Sequence, residues 1–253
     1  MGMKAAGDPH PVRPGRPHRP RWPLWPLPLL AGLLPLLGTL VAWRLSIAQG
    51  LAPDCNPFID GCTSISRAAR HGLPNILFRA LLLPAAVLQA LAWLLCPAWL
   101  RGLGDGPERA LRLLPTLGVL AAAFLVLYGS FLGTEGDGYR WMRRYGIVLY
   151  FGFTCIGMLV VADQAHRRLQ QHPEAAGRAR HLSGALLALC AALPLLGLAH
   201  VLLPLALGPG DAAKDMLENI TEWWAGAIFT TFFLVLAWAW RGTGFGARFS
   251  GRR

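Results

Sequence analysis

One polar stretch, residues 54–72 (DCNPFIDGCTSISRAARHG), lies between two long apolar segments. It carries Cys55 and Cys62, the hydroxyls of Thr63, Ser64 and Ser66, the guanidinium groups of Arg67 and Arg70, and the His71 imidazole. Guanidinium groups bind phosphate in a bidentate fork, and hydroxyls can complete the contact. A second set of reactive side chains falls inside the apolar segments. An ionisable group there is costly and is a functional candidate by default. Arg79, His200 and Glu222 belong to this set, with Tyr128 and Ser130 just before Glu135. At the helical rise, Arg79 lies roughly 9 Å below the start of its segment, and His200 lies at a similar depth. All of these fall in the half of the protein next to residues 54–72, whereas Asp163 falls at the opposite end. Together Ser64, Ser66, Arg67, Arg70, Arg79 and Glu222 would form a cationic, hydroxyl-rich pocket suited to the headgroup of a phosphate-bearing lipid.

Each of these residues also has a plainer reading. Arg79 can snorkel to the headgroups, and His200 can be a hydrogen-bonded packing residue. Glu222 can complement a helix N-terminus, Trp223 and Trp224 can form an interfacial belt, and Ser64 and Ser66 can cap a short helix starting near Arg67. If the site performs chemistry, His71 or His200 is the candidate base, Ser66 the candidate nucleophile and Glu222 the orienting acid, for acyl transfer or lipid hydrolysis. No Gly-x-Ser-x-Gly elbow and no His-x4-Asp pattern supports that chemistry. Transport is the third reading, but a transport pathway needs polar groups near the membrane midplane, and these gather near one face. Cys55 and Cys62 read as a disulfide where their loop meets an oxidising compartment. Their spacing lacks the second pair of a metal site, so neither metal nor cofactor is expected. Cys96, Cys155 and Cys190 fall in apolar segments as packing residues.

The segments that must position these groups are membrane-spanning. The chain is 54% hydrophobic and 15% charged, and its apolar residues come in blocks of about 20, enough to cross a bilayer as helices. The reading is an all-α, polytopic integral membrane protein, a six-transmembrane-helix bundle. Its helices fall at about 24–45, 73–99, 111–133, 145–164, 182–207 and 220–240, within a membrane domain of residues 23–241. Residues 1–22 and 242–253 read as basic tails, the first disordered. The first segment also has the form of a signal peptide, with Ser46-Ile47-Ala48 as its cleavage site, but it is longer than a usual signal core and carries Pro35 and Trp43.

The net charge is +11, and it sits at the membrane edges, so lipid and topology explain it better than nucleic acid. With six crossings both tails share one side. All Lys and Arg residues except Arg44, Arg67, Arg70, Arg79, Arg140, Arg143, Arg144 and Lys214 fall on that side. The bias places both termini in the cytoplasm and loops 46–72, 134–144 and 208–219 outside. Arg140, Arg143 and Arg144 run against the rule.

The run Thr63-Ser64-Ile65-Ser66-Arg67-Ala68-Ala69-Arg70-His71-Gly72, followed by Pro74-Asn75-Ile76-Leu77-Phe78-Arg79, resembles the Ser-Ile-Ser…Gly…Pro outer-loop motif of one six-helix membrane family. That family includes the FGF-receptor-activating protein (a factor for GPI-anchor lipid remodelling), the autophagy modulator DRAM, and the N-terminal domain of a yeast cell-wall and GPI-remodelling protein. The family's last helix opens with Glu and an aromatic residue, then Phe- and Thr-rich sequence. Glu222-Trp223-Trp224 and Phe229-Thr230-Thr231-Phe232-Phe233 are similar to that pattern. The resemblance spans roughly 25–241 and implies a protein that binds, regulates or remodels membrane lipids, with its motif loop on the outer side. The cysteine pair and the Arg-rich tail are not part of the shared pattern. A composition rich in Ala, Leu, Arg and Pro points to a GC-rich bacterial source, which makes the expected location a bacterial inner membrane. Phospholipid headgroups then replace GPI as the expected partners, and protein partners stay undefined.

Overall fold

The computed structural model describes residues 22–171, 177–207 and 211–247. Helix α1 (Pro26–Ala48) has proline in its first turn, where a missing N–H costs nothing. A single turn, α2 (Ile65–Ala68), follows the polar loop. The other long helices are α3 (Gly72–Arg101), α4 (Glu108–Phe131), α5 (Asp137–Gln170), α6 (Gly177–Leu207) and α7 (Asp211–Gly242). Among the described residues six helices are long and apolar enough to cross a membrane, so the protein is an all-α, multi-pass membrane protein. The six form a closed ring in the order α1, α3, α4, α5, α6, α7, with α3 also touching α5 across it.

Helices α4, α5, α6 and α7 all start earlier than their apolar runs, α5 and α7 by the most. Most of residues 134–144, expected as a loop, forms the first turns of α5. Gly136 enters at φ +116°, Asp137 supplies an acid to the first turn, and Arg140 pairs with Asp137 at 3.4 Å. The stacked rings of Trp141 and Tyr145, 5.4 Å apart, continue that surface. Likewise α7 begins at Asp211 rather than near 220, because Leu217 and Asn219 are already buried against the rest of the protein. Apolar content locates the part of a helix in hydrocarbon, whereas hydrogen bonding carries it beyond the membrane edge.

Both ends of the described chain meet at one end of the bundle, here the near end. Trp22–Pro23 (β1) pairs antiparallel with Gly246–Ala247 (β2), and Phe245 packs edge-on against Trp240 at 4.8 Å. The innermost parts of both expected tails are therefore ordered; residues 1–21 and 248–253 lie outside the described residues. The near half of the bundle holds a large aromatic core. Trp93, Trp99, Phe232, Phe233, Leu236 and Trp240 are all buried there, and Trp93 lies 5.7 Å edge-on from Phe233. Gly118 of α4 lets that helix close onto Trp93: a Cβ at Gly118 would lie 2.1 Å from the Trp93 Cβ. The polar loop and α2 sit at the distal end.

Candidate functional site

The distal loop is folded by its own side chains and then fastened to α7. The Phe58 N–H donates to Asn56 Oδ1 (3.1 Å), and the Asn56 N–H donates to Asp60 Oδ2 (2.8 Å). A disulfide joins Cys55 to Cys62. From α7, Asn219 donates to the Gly61 carbonyl (2.7 Å), Trp223 Nε1 to the Thr63 carbonyl (2.9 Å) and Trp224 Nε1 to the Phe58 carbonyl (3.2 Å). The Phe58 ring lies 5.3 Å from each tryptophan ring. Gly61 has φ +57° and meets the Met216 carbonyl so closely that a Cβ would lie 2.3 Å from it. The two tryptophans thus bind the loop as well as facing the interface.

Helix α2 is held at three points. Ser64 caps it, its Oγ accepting the Arg67 N–H at 3.1 Å. Ser46 of α1 donates to the Ala68 carbonyl. Buried Asn75 donates to the carbonyls of Ala69 (2.9 Å) and Leu132 (3.0 Å), tying α3 to the loop and to the end of α4. In this frame the Ser66 N–H donates to Glu222 Oε1 at 3.0 Å, and the Ser64 and Ser66 hydroxyls lie 3.0 Å apart.

Below α2 the ring of helices encloses an apolar chamber of about 110 Å³. Gly32, Pro35, Leu36, Leu82, Leu125, Ile147, Phe151, Gly226 and Phe229 help to wall it, with Gln89 and Tyr150 deepest and Tyr128 and Glu222 towards the loop. Beside it lies a cleft of about 340 Å³ lined by Ser66, Arg70, Tyr128, Leu132, Arg140, Arg143, Arg144, Ile147, Val148, Phe151 and Glu222. Tyr128, Ile147, Phe151 and Glu222 line both spaces. Further out, Arg70, His71, Gly133, Thr134, Glu135, Gly136, Arg140 and Arg143 border an opening of about 510 Å³.

The cleft is strongly cationic, with four guanidinium groups around one carboxylate, that of Glu222. Arg143 Nη1 donates to the carbonyls of Phe131 (3.2 Å) and Thr134, which aims the side chain. Arg70 Nε is buried with no hydrogen-bond partner among the described residues. Of the four, only Arg140 makes an ion pair among the described residues, the exposed one with Asp137. Such a cluster can bind an oxyanion through several charge-assisted hydrogen bonds.

Of the residues expected to form a headgroup pocket, Ser66, Arg70 and Glu222 line the cleft. Ser64 is buried as the cap of α2. Arg67 points elsewhere, into a half-exposed ion pair with Asp215 at 3.0 Å. Arg79 is half-buried on α3 and lines none of these three spaces. His71 borders the outer opening, and His200 Nδ1 lies 3.1 Å from Thr221 Oγ1. Among the described residues no hydrogen bond joins either imidazole to Ser66 or Glu222. The arginines of α5 were not among the expected site residues. Their signal in the sequence was the basic cluster that runs against the charge bias of the loops. Compared with known protein families, curated proteins and solved structures, the chain matches none.

Proposed function

We propose that the protein binds a phosphate-bearing membrane lipid, with its headgroup in the arginine cleft and an acyl chain in the chamber beneath. The observation that carries this reading is the shared wall. Tyr128, Ile147, Phe151 and Glu222 line both spaces, so one amphipathic molecule can occupy cationic and apolar surroundings at once. The Tyr128 hydroxyl and the arginine N–H groups supply donors, and the chamber supplies apolar surface. Val148, exposed on the bundle surface and lining the cleft, marks a lateral route from the bilayer. Binding or regulation of lipid fits better than acyl transfer or hydrolysis, because the Ser66 hydroxyl is hydrogen-bonded to Ser64 and not to a base.

Membership of the six-helix lipid family is part of the same proposal. In support, the Thr63-Ser64-Ile65-Ser66 run and the Glu222-Trp223-Trp224 motif, far apart in sequence, contact one another directly. The proposed orientation puts both termini in the cytoplasm of a bacterial cell and the cleft at the outer face of the inner membrane. The charge bias supports it, and so does the Cys55–Cys62 disulfide, which persists in an oxidising compartment.

Native mass spectrometry of the purified protein with its co-purified lipids tests the reading. Wild type and Arg67→Ala are expected to retain a defined phospholipid, Arg70→Ala to lose it and Arg144→Ala to retain less of it. Retention of only the bulk lipid mixture by every form, or equal loss in Arg67→Ala, refutes the assignment of the cleft.

A further inference from the structure

We infer that the headgroup is a phosphate monoester, carrying nothing beyond the phosphate; this rests on the reading of the cleft as a lipid site. The order of charges along the site is the reason. Moving outward from the chamber, a bound lipid would pass Glu222 first, at the junction of the two spaces, and then Arg70, Arg140, Arg143 and Arg144. A zwitterionic phospholipid has the order chain, phosphate, ammonium. Its ammonium would therefore lie beyond the phosphate, towards an opening bordered by Arg70, Arg140, Arg143 and His71 against the single carboxylate of Glu135. Glu222, on the chain side of the arginines, is in the wrong place to meet it, and one of its oxygens already accepts the Ser66 N–H.

The unused donors point the same way. Among the described residues Arg70 Nε has no hydrogen-bond partner, the Arg144 side chain has no ion pair or hydrogen bond, and Arg143 holds its two carbonyls through Nη1 alone, which leaves Nε and Nη2 for a ligand. A phosphodiester has a single negative charge and two free oxygens. A terminal phosphate carries about −1.5 to −2 at neutral pH and three acceptor oxygens. It neutralises the cluster more completely and uses more of its donors.

The test is competition binding of detergent-solubilised wild-type protein with phosphatidic acid, phosphatidylglycerol and phosphatidylethanolamine of identical acyl chains. Phosphatidic acid is expected to bind about tenfold or more tighter than either diester, the worth of one further charge-assisted hydrogen bond. Arg144→Ala, at an exposed position, is expected to narrow that ratio, and Arg67→Ala to leave it unchanged. Equal or tighter binding of phosphatidylglycerol or phosphatidylethanolamine overturns the monoester inference and leaves the lipid reading standing. Binding of none of the three removes both. Displacement of phosphatidic acid by millimolar glycerol 3-phosphate or inorganic phosphate, each in large excess, is expected to be weak; efficient displacement makes the ligand a soluble phosphate and overturns the lipid source.

Discussion

Pro35 and Gln89 offer a direct test of how the chamber is built. Proline has no N–H, so the Ala31 carbonyl, four residues earlier in α1, loses the helical partner that residue 35 would otherwise supply. Gln89 of α3 replaces that partner. Its Nε2 donates to the Ala31 carbonyl at 3.2 Å, while its Oε1 accepts the Tyr150 hydroxyl of α5 at 3.2 Å. One side chain, 3% exposed, therefore joins three helices beneath the cavity. Gln89→Leu removes both bonds. A buried polar group left without a partner costs about 1–3 kcal/mol, but hydrogen bonds between membrane helices average nearer ~0.6 kcal/mol. Two such groups give an expected loss of about 2 kcal/mol, between these limits. In a Pro35→Ala background the alanine N–H can bond to the Ala31 carbonyl, and the Gln89→Leu loss should fall by about 1 kcal/mol. The assay is a double-mutant cycle on reversible unfolding in mixed micelles, with Tyr150→Phe as the parallel arm for the other bond. If the two substitutions at positions 35 and 89 add to within about 0.3–0.5 kcal/mol, the idea that Gln89 compensates the proline is wrong.

Two further outcomes follow from the packing. Gly118→Ala places a methyl group 2.1 Å from the Trp93 Cβ, against an ordinary carbon contact of about 3.5–4.0 Å. Since both atoms are attached to backbone, α3 and α4 must separate, and a loss of about 3 kcal/mol is expected in detergent unfolding; an unchanged midpoint contradicts the close approach. Reducing the Cys55–Cys62 disulfide, or replacing both cysteines with serine, should lower stability by about 2 kcal/mol through the freed loop. The emission of Trp223 and Trp224 should shift as Phe58 leaves them. Identical unfolding curves and spectra with and without reductant would show that the tryptophans, not the disulfide, hold the loop.

The interaction of two distant motifs was partly visible in the chain. Ser66 and Glu222 could be marked as polar groups at the same membrane face, because helix length and crossing parity place them there. Their contact could not be foreseen, since it depends on α2 being pinned by Ser46 and Asn75. Arg67 and Arg70 show the limit sharply. They are three residues apart and chemically identical, yet one pairs with Asp215 and the other lines the cleft. Arg79 looked like a pocket residue from its depth alone, and depth does not specify which way a helix face turns.

The six-helix architecture and the shared side of the two ends follow from the sequence alone. A bilayer makes every apolar run of sufficient length satisfy its own backbone as a helix, and crossing number then sets the sides. The polar character of the distal face is equally local, because charges are excluded from hydrocarbon wherever they occur in the chain. Tertiary structure alone decided that Arg140, Arg143 and Arg144 join Arg70 and Ser66 around Glu222. That arrangement depends on how far α5 extends beyond its apolar run and on the rotation of α5 against α4. The extension is carried by hydrogen bonding and the rotation by packing contacts such as Gly146 on the Tyr128 backbone, and membrane solvation, which acts on each segment separately, carries no information about them.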